Sequence, residues 1–157
     1  MKLVTVLAST VLLVLFSACG EGGGSPEDAL KGFIEAVKAG DGTKAAGYLS
    51  SYAVEELDEQ FEVLKEDPEM AVMALETMGV EATVSEVGDW TSREFFAAII
   101  ETEMMREELG DKLELEITGS EIEGEEAIVF LTNADGDEEE FEMILENGEW
   151  KIYEMPE

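Results

Sequence analysis

The chain has 157 residues, of which 39 are acidic and 9 basic, with no histidine and a formal net charge of −30 at pH 7. This charge argues against nucleic-acid binding, which requires a basic surface, and disfavours docking onto anionic lipid headgroups. Apolar residues recur periodically from residue 26 onward, and the length suits one hydrophobic core. We therefore predict one folded acidic domain over residues 26–157 rather than a disordered chain.

Residues 1–18 are predicted to be a cleaved signal peptide. Lys2 is their one charge, and the run from Leu3 to Phe16 is apolar apart from three hydroxyl residues. A membrane-spanning helix needs roughly 20 apolar residues, so this run is too short to span. It fits the apolar region of a signal peptide instead.

The end of this segment, Leu-Phe-Ser-Ala-Cys at residues 15–19, resembles the lipobox of bacterial lipoproteins. The resemblance implies cleavage before Cys19 and acylation of its thiol, with palmitate among the expected chains. Cys19 is the only cysteine, so it has no disulfide partner, and several acyl chains on one residue would anchor firmly. The alternative is an ordinary secretory signal with a chance cysteine, although bulky Phe16 disfavours the general signal peptidase.

Residues 19–25 are predicted to be the lipidated cysteine and a flexible glycine-rich tether. The expected location is the cell envelope, with the lipid bilayer as a partner through Cys19. Gly20, rather than Asp, follows the cysteine, and the resemblance to enterobacterial lipoproteins implies a mild preference for the outer membrane facing the periplasm in a Gram-negative cell. In other cells we expect the outer face of the cytoplasmic membrane. Cleavage removes Lys2 and leaves a net charge of −31.

Helices are predicted in the first two thirds of the domain. Ser25 as N-cap and Pro26 at the first position begin a helix that Gly40 ends. Further helices are expected from about 43 to 49 and from about 53 to 65. A fourth helix starts at Pro68 and stops near Gly79, and its expected apolar residues are Met70, Met73, Ala74 and Met78.

The next segments are expected to lead into the last helix. The weak alternation over 80–87 indicates a short strand or a loop. Thr91 and Glu94 form a capping box, and the helix that they start is expected to end at Gly110.

From Leu113 onward the apolar period changes from 3.6 to 2, which predicts antiparallel strands. Residues 113–118 form a one-sided strand, and 127–131, apolar on both faces, form a central strand. Residues 134–137 form a turn, and Asn147-Gly148 is a strong hairpin signal between strands that carry Phe141, Met143 and Leu145 and then Trp150 and Ile152. Helices followed by a meander indicate an α+β fold, with N-terminal helices packed on a C-terminal antiparallel sheet.

The two ends of the domain resemble small bacterial lipoproteins with a nuclear transport factor 2-like, or cystatin-like (SnoaL-like), domain. The similar segments are 25–30 with Phe33 and 36–41 at the start, and 147–153 at the end. The resemblance implies a curved sheet that wraps a helical layer into a cone, which can hold an apolar pocket. It does not fix a function, because the superfamily contains enzymes as well as non-catalytic binding domains. The dehydratases of this superfamily use a His–Asp pair inside the cone, and this chain has no histidine.

Large apolar side chains are the candidates for a pocket or for the core of this cone. They are Tyr48, Phe61, Trp90, Phe95, Phe96, Ile99 and Trp150. If the core is filled, the outer face of the sheet becomes the expected contact surface, with Ile144 and Tyr153 as its contact residues. Glu140, Glu142 and Lys151 are expected to share that face.

We expect a non-catalytic envelope module that binds a small apolar ligand or an envelope protein and needs no cofactor. One alternative is an isomerase- or hydrolase-like enzyme with a pocket carboxylate of raised pKa. Another is an acidic cation-binding surface module. Asn133, Asp135 and Asp137 are weak candidates for a metal site, but a calcium loop from Asn133 would place Glu138 where glycine is needed. A solvated turn is the preferred interpretation.

Overall fold

The computed structural model describes residues 24–112 and 114–154. The predicted signal peptide, Cys19 and most of the tether lie outside these residues, as does Leu113. The helices are α1 (Pro26–Ala39), α2 (Gly42–Ala46), α3 (Ser51–Lys65), α4 (Pro68–Thr77), α5 (Val84–Asp89), α6 (Ser92–Ile100) and α7 (Glu103–Lys112). The strands are β1 (Glu116–Glu123), β2 (Glu126–Thr132), β3 (Glu138–Glu146) and β4 (Glu149–Glu154).

Both ends of α1 follow the sequence signals. The Ser25 hydroxyl accepts a hydrogen bond from the Asp28 amide at 3.2 Å, and the Asp28 carboxylate accepts one from the Ser25 amide at 3.3 Å. Gly40 ends the helix in the left-handed conformation at φ 67°, which glycine adopts without a Cβ penalty. The predicted caps of this helix are confirmed.

The prediction of a strand or loop over 80–87 is wrong from residue 84 onward, where α5 begins. The Thr83 hydroxyl accepts from the Glu86 amide at 3.3 Å, and the Glu86 carboxylate accepts from the Thr83 amide at 2.9 Å. This capping box satisfies free amides of the first turn, and Val87 is fully buried on the inner side. The short helix therefore overrides a weak apolar alternation.

The prediction of one helix from Thr91 to Gly110 is also wrong. The capping box at Thr91 is present, but α6 ends at Ile100. The Thr102 hydroxyl donates to the Ile99 carbonyl at 2.8 Å and accepts from the Met105 amide at 3.2 Å. It thus closes one helix and caps the next, α7, which runs through Gly110 to Lys112.

The apolar side predicted for α4 is wrong in part. Ala71 and Leu75 are fully buried, whereas Met70 and Met73 are 62% and 68% exposed. The helix is apolar on several sides, so the contact with the neighbouring helices, rather than the sequence pattern, decides which residues face inward.

The four strands form one antiparallel sheet in the order β1-β2-β3-β4. With the helices preceding it along the chain, this arrangement confirms the α+β class. Strand β2 is an inner strand, as predicted, but its two faces differ. Val129 and Leu131 are fully buried, while Ile128 and Phe130 are half-buried. Asn147 and Gly148 both have positive φ, 53° and 83°, as a two-residue type I′ hairpin requires.

Buried side chains form two clusters. The first lies between the inner face of the sheet and parts of α1, α2, α3 and α6, and it includes Leu30, Leu49, Leu131 and Ile152. The second is enclosed by α3, α4, α5 and α6, without a sheet residue, around Phe61. The sheet therefore packs its inner face on one cluster and leaves its outer face without a covering layer among the described residues.

Candidate functional site

The seven candidate pocket or core residues are divided between the two clusters. Tyr48, Phe96 and Trp150 belong to the first cluster. The second cluster contains Phe61, Trp90, Phe95 and Ile99, and the rings of Phe61 and Phe95 stack with centroids 4.3 Å apart. The structure does not bring the seven side chains into one group.

A groove of about 490 Å³ lies instead on the outer face of the sheet. Its volume is in the range of small-ligand sites. Both predicted surface-contact residues, Ile144 and Tyr153, line it. The complete lining is Glu121, Glu123, Glu126, Ala127, Ile128, Glu142, Met143, Ile144 and Tyr153.

Strand alternation and register bring these side chains together. Successive side chains of a strand point to opposite faces, so Ile128 and Ile144 face outward beside the buried Ala127 and Met143. Ile128 pairs with Glu142, and Glu126 pairs with Ile144. The two isoleucines are therefore diagonal neighbours, each directly opposite a glutamate of the adjacent strand.

A bulge in β4 places Tyr153 at the groove. Glu142 pairs with Glu154 and Met143 with Ile152, so Tyr153 is an extra residue on the β4 side. Its ring stacks on Tyr52 at the start of α3, with centroids 4.4 Å apart and an interplanar angle of 16°. The Tyr52 hydroxyl donates to the Glu56 carboxylate at 3.1 Å, which raises the pKa of Tyr52. Tyr153 of this stacked pair lines the groove, and Tyr52 lies beside it, 39% exposed.

The charges at the groove are almost all of one sign. Glu121, Glu123, Glu126 and Glu142 line it, and Glu123 lies directly opposite Glu126 across the hairpin. Lys151 faces outward on β4, but its ammonium donates to the Gly47 carbonyl at 2.8 Å and lies 2.8 Å from the Glu149 carboxylate. The groove is thus an apolar floor with an acidic rim.

The excess of acids should make stability depend on salt. Like charges opposite each other destabilise a sheet, and the net charge of −30 on the chain opposes the compact state. Because salt screens such repulsion over about 10 Å at 0.1 M, we expect the midpoint of thermal unfolding to rise between low salt and 1 M NaCl. A flat or falling midpoint would contradict this. Calcium at matched ionic strength tests for specific cation binding, which would raise the midpoint further by mass action.

The weak metal candidates form a turn. The Asn133 side-chain oxygen accepts hydrogen bonds from the Asp135 amide at 3.0 Å and the Asp137 amide at 2.9 Å, and Gly136 has φ 90°. The side chain of Asn133 is therefore engaged by its own loop. Over residues 24–112 and 114–154, no three acidic side chains converge as a cation-binding cluster.

Four described carboxylates have a pKa below the usual range. Hydrogen bonds from the hydroxyl of Ser120 to Glu27, and from the hydroxyl of Thr83 to Glu86, lower these two pKa values. The Thr91 amide acts in the same way on Glu94, and the Lys151 ammonium on Glu149. A general acid needs a shift in the opposite direction, so these four carboxyls do not suit that role.

Comparisons with known proteins give no relative: no family model, no curated protein and no solved structure matches this chain. Within the described part of the chain, none of the helices combines the length and the apolar character that crossing a membrane requires. The site must therefore be interpreted from its own chemistry.

Part of the groove was not predicted from the sequence. The candidate residues did not include Glu121, Glu123, Glu126 and Ile128, although these four lie at outward-facing positions of β1 and β2. For Glu126 and Ile128 the signal was an alternation with the buried residues of β2, whereas β1 has no buried residue. The pairing of β2 with β1 on one side and with β3 on the other, which brings these residues to the same groove as Ile144, is not visible in the sequence pattern.

Proposed function

We propose that this protein is a lipid-anchored envelope lipoprotein whose domain is a non-catalytic binding module of the nuclear transport factor 2-like type. The anchor is supported by the lipobox-like residues 15–19, by the single cysteine and by the glycine-rich residues that follow it. The domain type is supported by a helical layer packed on an antiparallel meander, with α1 against the inner face of the sheet.

The observation that carries the binding role is the groove on the outer face of the sheet. Ile128, Ile144 and Tyr153 give it apolar surface outside both buried clusters. Exposed apolar surface rimmed by polar residues is typical of contact sites. We assign the contact with a ligand or an envelope protein to this face.

Crosslinking in living cells tests this assignment. A photoreactive benzoylphenylalanine in place of Ile144 should form a discrete adduct on irradiation. The same residue in place of Glu138, on the same face of β3 but outside the groove, should not. Equal adducts at both positions, or none at Ile144, would exclude the outer face as the contact surface.

Changing Cys19 to serine tests the anchor. Because acylation needs the thiol, Cys19→Ser should accumulate as an uncleaved precursor without lipid, and mass spectrometry of the wild-type N-terminus should show an acylated Cys19. The matched control is Ser17→Gly, which keeps a small residue in the lipobox-like segment and should be processed normally. An unmodified Cys19, or cleavage at another position, would rule out the lipoprotein assignment.

A further inference from the structure

Ile128 and Ile144 provide the apolar surface at the centre of the groove. Ile128 and Ile144 are diagonal neighbours on adjacent strands, and strands lie about 4.8 Å apart. Both isoleucines are half-buried, so an apolar side chain placed between them removes surface from water on both at once. On the β4 side, Lys151 lies directly opposite Ile144, and Tyr153, which stacks on Tyr52, lines the groove.

The rim places carboxylates on more than one side of this floor. Glu121 on β1 and Glu142 on β3 lie directly opposite Ile128 on its two sides. Because β1 and β3 are two strand spacings apart, the backbones at Glu121 and Glu142 are separated by about 10 Å. Glu126 lies directly opposite Ile144. An occupant that pairs with these carboxylates therefore needs at least two cationic groups, one on each side of an apolar centre.

We propose that the groove binds a peptide segment of a partner protein in which an apolar or aromatic side chain is flanked by lysine or arginine residues. This proposal rests on the proposed binding function and specifies the partner. In an extended segment, alternate side chains lie on one side about 6.8 Å apart. The two cations flanking a central apolar residue are then about 14 Å apart, and their long side chains bridge the difference to the rim.

Charge complementarity favours this occupant over others. Each cation lies near carboxylates that otherwise repel one another, as Glu123 and Glu126 do across the hairpin. A small organic cation engages one side of the rim, and a polyamine has no side chain for the isoleucine floor. The aromatic pair Tyr52–Tyr153 adds a site where a lysine or arginine can lie against a ring.

A synthetic peptide tests the proposal directly. The probe is the acetylated and amidated heptapeptide Lys-Lys-Ser-Phe-Ser-Lys-Lys, titrated into the purified full-length protein at 50 mM salt and followed by amide chemical shifts and calorimetry. We expect shifts at Ile128, Ile144 and Tyr153, and an affinity that falls as salt is raised. A peptide with serine for phenylalanine, and one with glutamate for every lysine, should each bind at least about tenfold more weakly.

Matched variants separate the groove from the general acidity of the chain. Ile144→Ser should weaken binding of the probe by about tenfold, whereas Phe130→Ser, also half-buried on the outer face but outside the groove, should not. The pair Glu126→Gln and Glu142→Gln should weaken it by several-fold, whereas Glu138→Gln and Glu140→Gln, outside the groove, should have little effect.

Three results would overturn the proposal. They are equal binding of the serine and phenylalanine peptides, equal effects of the two glutamine pairs, and amide shifts that lie away from the groove. Each would mean that the peptide binds through the overall negative charge of the chain rather than at the groove. Because the shifts are measured on the unaltered protein, a variant that fails to fold does not obscure the outcome. Loss of peptide binding with intact crosslinking at Ile144 would refute this partner class and leave the proposed function standing.

Discussion

Replacing Phe61 by alanine is expected to lower the free energy of unfolding by about 3–5 kcal/mol. Phe61 is fully buried in the second cluster, and its ring stacks on Phe95 at 4.3 Å. The substitution removes this contact and leaves a cavity that the surrounding helices α3, α4, α5 and α6 fill only in part. Chemical denaturation monitored by circular dichroism measures the loss.

The matched control for this change is Val63→Ala on the same helix. Val63 is 68% exposed, so its replacement should change stability by no more than about 0.5 kcal/mol. Hydrogen exchange adds a second measurement. Because the second cluster contains no strand residue, Phe61→Ala should accelerate exchange in α4 and α5 more than in β2 and β3. Equal acceleration throughout would show that the two clusters open together.

Replacing Gly42 by alanine is expected to destabilise the fold by about 1–3 kcal/mol, because the site has no room for a methyl group. Gly42 begins α2, and its Cα faces the backbone of α6. A Cβ at this position would lie 2.6 Å from the carbonyl carbon of Ala97. Backbone cannot move aside as a flexible side chain can, so α2 and α6 must separate. The midpoint of thermal unfolding measures the effect.

The control for the change at Gly42 is Gly88→Ala. Gly88 lies inside α5, and a Cβ there would meet nothing within 4 Å. Alanine favours the helix over glycine by roughly 0.5–1 kcal/mol, so this variant should be more stable than the parent. Two glycine-to-alanine changes with opposite signs would demonstrate the close packing of α2 on α6. A neutral or stabilising Gly42→Ala would contradict it.

Local signals predicted the elements whose ends are set by local hydrogen bonds. Ser25 with Pro26 and Gly40 defined α1, and Asn147-Gly148 defined the hairpin, because a cap or a tight turn is fixed by a few neighbouring residues. The missed helix α5 carried a signal of the same kind, since Thr83 and Glu86 repeat the spacing of Thr91 and Glu94.

Features that depend on contacts distant in sequence could not be predicted in this way. Met70 and Leu75 are both apolar residues of α4, and packing against other helices decides that Leu75 is buried and Met70 is exposed. The groove needs the register of three strand pairs and a bulge at Tyr153. The sequence predicted Ile144 and Tyr153 on the outer face, but not the acidic residues of β1 and β2 beside them.

Two of the few basic side chains hold α2 in place. The Arg93 guanidinium donates to the Ala46 carbonyl and, at 3.2 Å, to the Leu49 carbonyl, while Lys151 donates to Gly47. The Ala46 and Gly47 carbonyls lie at the C-terminal end of α2, where cations are favoured. The adjacent bridge between Leu49 and Ile152 joins the same segment to β4. The short segment after α2 is therefore bound both by Arg93 of α6 and by the sheet.

The hydrogen bond between Ser120 and Glu27, 2.6 Å long, joins a strand that carries part of the groove to the start of the first helix. It fixes β1 against the first turn of α1, and Glu121, the next residue of β1, faces the groove from the other side of the strand. Seven residues, Cys19 to Ser25, connect that turn to the proposed lipid, and fully extended they reach at most about 25 Å. With the proposed lipid in the membrane, this tether would keep the groove within a short distance of the bilayer surface. Membrane-bound partners displaying their basic segments at that height would be captured at a high effective concentration.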